Sequence, residues 1–344
     1  MSQAVFPLFG PLLVFAVALP LSAGIAKLLL AILDRLGRSS SALDSHQGVR
    51  YVLLVASSGA PLAWFFSASL HQAETGDSPG VCAVGHASDA YCPEAALFAL
   101  ALVLCAALFA LPRLLREQLA LPTSASQRAR DAAARVTALI HKRPSLTPLV
   151  GRIDIRDVLA VPIATLGIVR PRVVARSSFV EDLDDEALAG ALHHELEHVA
   201  GRDPLRYFVA WWALAVNPVG RFVLDKELAR WMLAREVHCD RDAVLDGAGA
   251  PALAQAIVTA ARPLSSQHLH PALGSSDAEM LKLRVDLLLS YTERSPVRGG
   301  GQPALRVACF FLAAIIVLPH GGSTGALDVV HTACESAVAS ITSP

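Results

Sequence analysis

Four apolar stretches stand out along the chain: Val5–Leu33, Tyr51–Leu70, Ala95–Leu115 and Leu305–Pro319. A helix crossing a bilayer needs ~20 apolar residues. The first three stretches meet that length, and the last does if it extends through Gly321 and Gly322. Between residues 116 and 303 the pattern changes. Ser124–His141 is rich in Ala and Arg and predicts a helix, stopped by Pro144 and Pro148. Arg152–Val158 alternates as a strand does, and Ile163–Ala175 holds a second strand pair around Gly167–Val174. Leu188, Ala191, Leu192, Glu195 and Val199 then recur at helical spacing. The acidic run Glu181–Glu186 precedes them and favours a helix start, with Asp184 or Asp185 as the N-cap and Gly201 at the far end. A further helix is expected from about Pro218 to Leu245. Leu205–Leu214, with Trp211 and Trp212, is apolar but too short to span; it suits the bilayer surface or a cover over neighbouring helices.

Composition agrees with a membrane protein: 53% of the 344 residues are hydrophobic, only 17% are charged, and the mean hydropathy is +0.47. The expected architecture is mainly α. Residues 1–115 carry three transmembrane helices (5–33, 51–70, 95–115), 116–303 form an α+β domain with a small sheet, 304–322 form a fourth span and 323–344 a short tail. Ser295–Pro303, rich in Gly, Pro and Arg, reads as the linker into that last span. All but four of the 29 Lys and Arg residues lie between Arg113 and Arg306, the exceptions being Lys27, Arg35, Arg38 and Arg50. The positive-inside rule therefore puts the 34–50 loop and the 116–303 domain in the cytoplasm, and the N-terminus, the 71–93 loop and the C-terminal tail outside the inner (cell) membrane. Lys27 falls near the inner end of the first span, where it can snorkel. A cleaved signal peptide is disfavoured, because the first stretch lacks a basic start and its apolar run is too long. A net charge of −1 and the lack of a basic-aromatic patch argue against direct nucleic-acid binding. Of the six cysteines, Cys82 and Cys92 share the outer loop, where a disulfide can persist. Cys334 stands alone in the outer tail, free to pair with another chain, so a homodimer is left open.

The chemistry concentrates in His194-Glu195-Leu196-Glu197-His198, an H-E-x-x-H string. Positions i and i+4 share one helix face, so both imidazoles reach one ion while Glu195 stands beside them as a proton acceptor. That is the working part of a zinc peptidase. A third ligand is required. The best candidate is Glu236, with Asp240 one turn on to accept a hydrogen bond from the far nitrogen of a ligand histidine. Cys239 and His238 remain rivals for the metal, although His238 lies about 200° round the helix from Glu236. His193 points about 100° away from His194 and reads as structural or solvated. Without the metal reading, these would be two charged, solvated helix faces. Arg202 and Asp203 read as a structural pair at the helix end, or as substrate contacts. The sheet ahead of the motif either offers an edge strand to an extended substrate or only packs on the helix.

The chain resembles the integral-membrane zinc metallopeptidases of the BlaR/MecR type. The likeness rests on Pro162 and Gly167-Ile168-Val169-Arg170-Pro171 ahead of the helix, then on the run from His193 to Pro204. Asn217-Pro218 and Glu236-Val237-His238-Cys239-Asp240 follow in the expected order. The resemblance implies a gluzincin site, with Zn²⁺ on His194, His198 and Glu236 and with Glu195 as base, in a cytoplasmic peptidase domain between the third and fourth spans. It implies regulated cleavage of a cytoplasmic protein, such as a transcriptional repressor, in signal transduction. The chain departs from the family in having only a short segment after the last span, without the penicillin-binding sensor domain or its S-x-x-K motif. A quality-control or processing protease, similar to the HtpX and CAAX groups, shares the metal motif, and a non-catalytic receptor or scaffold is the reading from another class.

Overall fold

The structure is a computed structural model that describes residues 14–36, 47–75, 126–159, 161–266 and 275–293. The expected spans 95–115 and 304–322, the 323–344 tail and the Cys82–Cys92 pair lie outside the described residues. What is described is mostly helical with one small mixed sheet. The chain divides into two compact units, one comprising 1–111, 209–229 and 300–344, the other 112–208 and 230–299.

In the first unit, a π-turn at Val14–Ala18 leads into α1 (Leu19–Leu36), which packs on α2 (Gln47–Thr75). Among the described residues one helix is long and apolar enough to cross a membrane, Ala16–Arg35. Its exposed Val17, Leu21, Ile25, Leu28, Leu29 and Ile32 recur at three- and four-residue steps, the spacing of one apolar face. The second expected span, 51–70, lies inside α2, a 29-residue helix that contains Pro61. Polar groups tie this unit together. The Asn217 amide donates to the carbonyls of Leu19 (2.7 Å) and Ser57 (3.2 Å), and Ser58 Oγ donates to Ala213 O at 2.5 Å. Lys27 meets a charged partner in this unit. Its Nζ pairs with buried Glu227 at 2.6 Å, and Arg50 reaches the other carboxylate oxygen at 3.0 Å and also binds Asp34, because a carboxylate inside a helix bundle needs cationic partners.

The second unit begins with α3 (Gln127–Lys142), whose N-cap Ser126 accepts from Ala129 N–H at 3.1 Å. Pro144 and Pro148 stop it as expected, converting the chain to a 3₁₀ turn over Pro144–Leu149. Three short strands follow: β1 (Ile153–Arg156), β2 (Ile163–Leu166) and β3 (Arg172–Arg176). β3 is central, parallel to β1 and antiparallel to β2. Gly167 leaves β2 with φ +98°, and a side chain there would run into the Arg170 carbonyl, so only glycine fits the turn that folds β3 back onto β2.

After the short α4 (Ser177–Asp182) comes α5 (Asp185–Gly201), with Asp184 as N-cap accepting from Ala187 N–H at 2.8 Å. The sequence suggests one apolar stripe, yet α5 is buried on every side from Ala187 to Glu195. It packs on the 3₁₀ turn, β2 and β3, and most extensively on α8 (Ala250–Ser266). Gly190 permits that approach, since a Cβ there would stand 3.1 Å from the Leu253 backbone. Helix α6 (Asp203–Val216) is longer than the apolar run predicts, and α7 (Gly220–Leu245) lies where a helix is expected. Finally α9 (Ser275–Glu293) packs against α8 through Leu288 and Val285, in a cluster with Leu253 and Ala243.

Candidate metal centre

Helices α5 and α7 bring the predicted ligands together. One turn apart on α5, His194 and His198 set their Nε2 atoms 3.1 Å from each other, with the rings nearly perpendicular. From α7, Glu236 places Oε2 3.4 Å from His194 Nε2 and Oε1 3.5 Å from His198 Nε2. Zinc–nitrogen and zinc–oxygen bonds of about 2.0–2.2 Å at tetrahedral angles separate neighbouring donors by about 3.3–3.5 Å. The two spacings to Glu236 fall in that range, and the 3.1 Å between the imidazole nitrogens is slightly shorter. All three side chains are largely enclosed, and they form a group able to hold a metal ion.

Each outward nitrogen faces a carboxylate. His198 Nδ1 donates to Asp203 Oδ2 at 2.7 Å. His194 Nδ1 lies 2.8 Å from Asp240 Oδ1, in a contact bent off the ring's N–H direction. A carboxylate bonded behind a ligand imidazole fixes the ring orientation and raises ligand basicity. Asp240 stands at the expected position without a well-formed hydrogen bond to His194. Asp203 does hold His198 by such a bond, and the expected pairing with Arg202 is not formed. Instead, the Asp203 carboxylate, fully buried, is shared by His198, Arg235 (2.5 Å) and Arg206 (3.5 Å). The reason is local. Arg202 takes a left-handed conformation, φ 51°, at the C-cap of α5. On a continuous helix a residue five positions past His198 would sit about 140° round the axis; the break at Arg202 swings Asp203 back under the imidazole. Arg202 itself is exposed.

The rival ligands fall elsewhere. His238 turns to Asp242 (3.1 Å) and Arg241 (2.7 Å). Cys239 is completely buried, 3.6 Å from His198 Nδ1 and 3.9 Å from Asp203 Oδ2. His198, Asp203 and Cys239 form a second grouping of possible ligands, but the 2.7 Å separation between Nδ1 and Oδ2 is that of a hydrogen bond and leaves no place for an ion between them. Burial also pushes the Cys239 thiol up to about 11. His193 is buried rather than solvated, its Nε2 3.2 Å from Ser145 Oγ, and burial lowers its pKa.

Glu195 is 6% exposed and is fixed by Thr165 of β2, whose hydroxyl donates to Glu195 Oε2 at 2.6 Å. Three further residues at this site carry no sequence signal that singles them out: Tyr207, Arg235 and Arg284. Tyr207 O–H lies 3.4 Å from Glu236 Oε1, and its ring meets Trp231 edge to face. The Arg235 guanidinium, beside Asp203, occupies the space that a side chain at Gly201 would fill. Arg284 contacts both Glu236 and Asp240.

No family model, curated protein or solved structure matches this chain. Asp203, Glu236 and Asp240 face the guanidiniums of Arg206, Arg235 and Arg284. Burial pulls His194 and His198 down, but the pull is outweighed: for His194 by Asp240 and Glu236, for His198 by Cys239, Asp203 and Glu236, so both imidazoles rise and His198 rises well above its ordinary value. Burial likewise opposes ionisation of Glu236, yet the bonds to both histidines and the charge of Arg284 hold its carboxyl well below the usual range. Two imidazoles and a carboxylate converging at these distances could hold a metal ion.

Proposed function

We propose that this protein is a zinc-dependent endopeptidase anchored to the cell membrane and similar to the BlaR/MecR-type metallopeptidases, cutting a cytoplasmic protein such as a transcriptional repressor. The observation that carries the reading is the triangle of His194, His198 and Glu236 donors with Glu195 one residue from the first of them. Bound zinc supplies a Lewis acid that makes water acidic near neutral pH and polarises a carbonyl. Glu195 accepts the proton of the attacking water and returns it to the departing amine. Thr165 leaves it one carboxylate oxygen free of that hydroxyl and stops it rotating away. Asp203 and Asp240 keep the imidazoles turned inward. Thr165 also ties the base to β2, whose far edge is unpaired among the described residues. An extended peptide adding to that edge runs its backbone past the carboxylate.

Exchanging Glu195 for Gln separates metal binding from catalysis. The purified full-length Glu195→Gln chain should retain one zinc per chain, lose all cleavage and hold its substrate, so that a single cytoplasmic protein is recovered with it. Wild-type protein without zinc, or undiminished cleavage by the variant, would overturn the reading.

A further inference from the structure

Arg284 lies on α9, 44 residues beyond Asp240, and yet its guanidinium is devoted to the metal centre. Its Nε donates to Asp240 Oδ2 and its Nη2 to Asp240 Oδ1, both at 2.8 Å, in a two-pronged pair with the carboxylate behind His194. The remaining nitrogen, Nη1, stands 3.0 Å from Glu236 Oε2. Tyr207 faces the other oxygen of Glu236. One planar cation thus links the third ligand to the partner of the first.

Electrostatics gives that link a function. Glu236 and Asp240 lie one turn apart on α7, and like charges at that spacing repel. The Asp240 side chain is 2% exposed and the Arg284 side chain 17% exposed, so water screens the repulsion poorly. Anchoring α9 does not require this cation, since Leu288 and Val285 already seat the helix on Leu253 and Ala243.

We propose that Arg284 is a positioning residue of the metal centre. Its guanidinium bridges Glu236 and Asp240, so that the third ligand and the His194 imidazole are set for the ion before it arrives. This rests on the zinc reading above. The bridge needs the planar fork of arginine: a lysine ammonium carries the charge but cannot make a two-pronged pair with Asp240 and reach Glu236 as well.

The test uses the full-length chain, freed of metal and titrated with Co²⁺ alone against a coloured chelator, with the cobalt visible spectrum as a report on coordination. Circular dichroism of the metal-free protein reports the fold. Arg284→Lys and Arg284→Met should stay folded, bind Co²⁺ on the order of 10–100-fold more weakly, and show a changed cobalt spectrum, with lysine giving no full rescue. Wild-type affinity and spectrum in both variants overturn the positioning role while leaving the zinc reading intact. So does loss of fold in both, which makes Arg284 a structural brace. A wild-type chain that takes up no Co²⁺ overturns the zinc reading and this proposal together.

Discussion

The carboxylates behind the histidines are not equivalent, and their difference is measurable. Asp240 is held by Arg284 and lies beside His194, whereas Asp203 is fully buried and satisfies both His198 and the enclosed guanidinium of Arg235. Removing one partner of a buried ion pair costs about 3–5 kcal/mol, because the other charge is left stranded. Asp203→Asn should therefore lower stability toward urea as well as zinc affinity. The pH dependence follows from the same contacts. Although burial disfavours the His198 imidazolium, Cys239, Asp203 and Glu236 raise its pKa well above 6.5 in the metal-free fold. A raised pKa stabilises the fold fully below pH 6.5, and that contribution is lost as pH climbs through the folded value. Metal-free protein should thus weaken from pH 6.5 upward, while zinc affinity rises over the same window as the imidazole gives up its proton. Denaturant midpoints at several pH values, with and without zinc, check both signs. A metal-free midpoint that rises across this window would contradict the assignment.

Among the elements, α5 decides most, because it carries both candidate histidine ligands and lies at the centre of the core. Leu188 and Leu192 are essentially inaccessible and pack with Val173, Phe179 and Ala256 in the principal cluster. The contact with α8 runs through Gly190, where an added methyl would have to displace Leu253 backbone atoms standing 3.1 Å away. Backbone cannot swing aside as a side chain can, so Gly190→Ala should cost about 1–3 kcal/mol by overpacking. Because His194 lies one turn on, cobalt affinity should fall as well. An unchanged unfolding midpoint would show that α8 moves freely relative to α5. Much of α5 was legible beforehand. Asp184 was one of two expected caps, Gly201 the expected end, and the i, i+4 pair of histidines stood where helical geometry requires. The full burial of α5 was not legible, since the outward face is made of Ala and Gly, residues as common on a surface as in a tight interface.

At the scale of the whole molecule, the ligands come from two helices separated in sequence by α6, so an ion that binds the three donors joins α5 to α7. An ion that binds only the folded form stabilises it by mass action, by about 2.7 kcal/mol at one hundred times its dissociation constant. Chelation should lower the unfolding temperature of the full-length chain, and added zinc should restore it, in proportion to the logarithm of free metal. A chain with the same unfolding temperature in chelator and in zinc would rule out a structural link between the helices. Among the described residues, the helix long and apolar enough to cross a membrane is the one containing α1, whose exposed apolar side chains follow a helical repeat.

Within a single helix, spacing along the chain is spacing in space, and so His194 and His198, or Glu236 and Asp240, could be paired on paper. The alternation of Arg152–Val158 and Ile163–Ala175 likewise foretold strands, because a pleated backbone turns successive side chains to opposite faces. Contacts between elements obey no such rule. Thr165 reaches Glu195 across 30 residues, Asp203 turns back to His198 only because Arg202 adopts a left-handed conformation, and Arg284 arrives from α9 to join two carboxylates on α7. Local backbone geometry is written residue by residue. The meeting of distant side chains is settled by how apolar faces pack, and that depends on the whole chain at once.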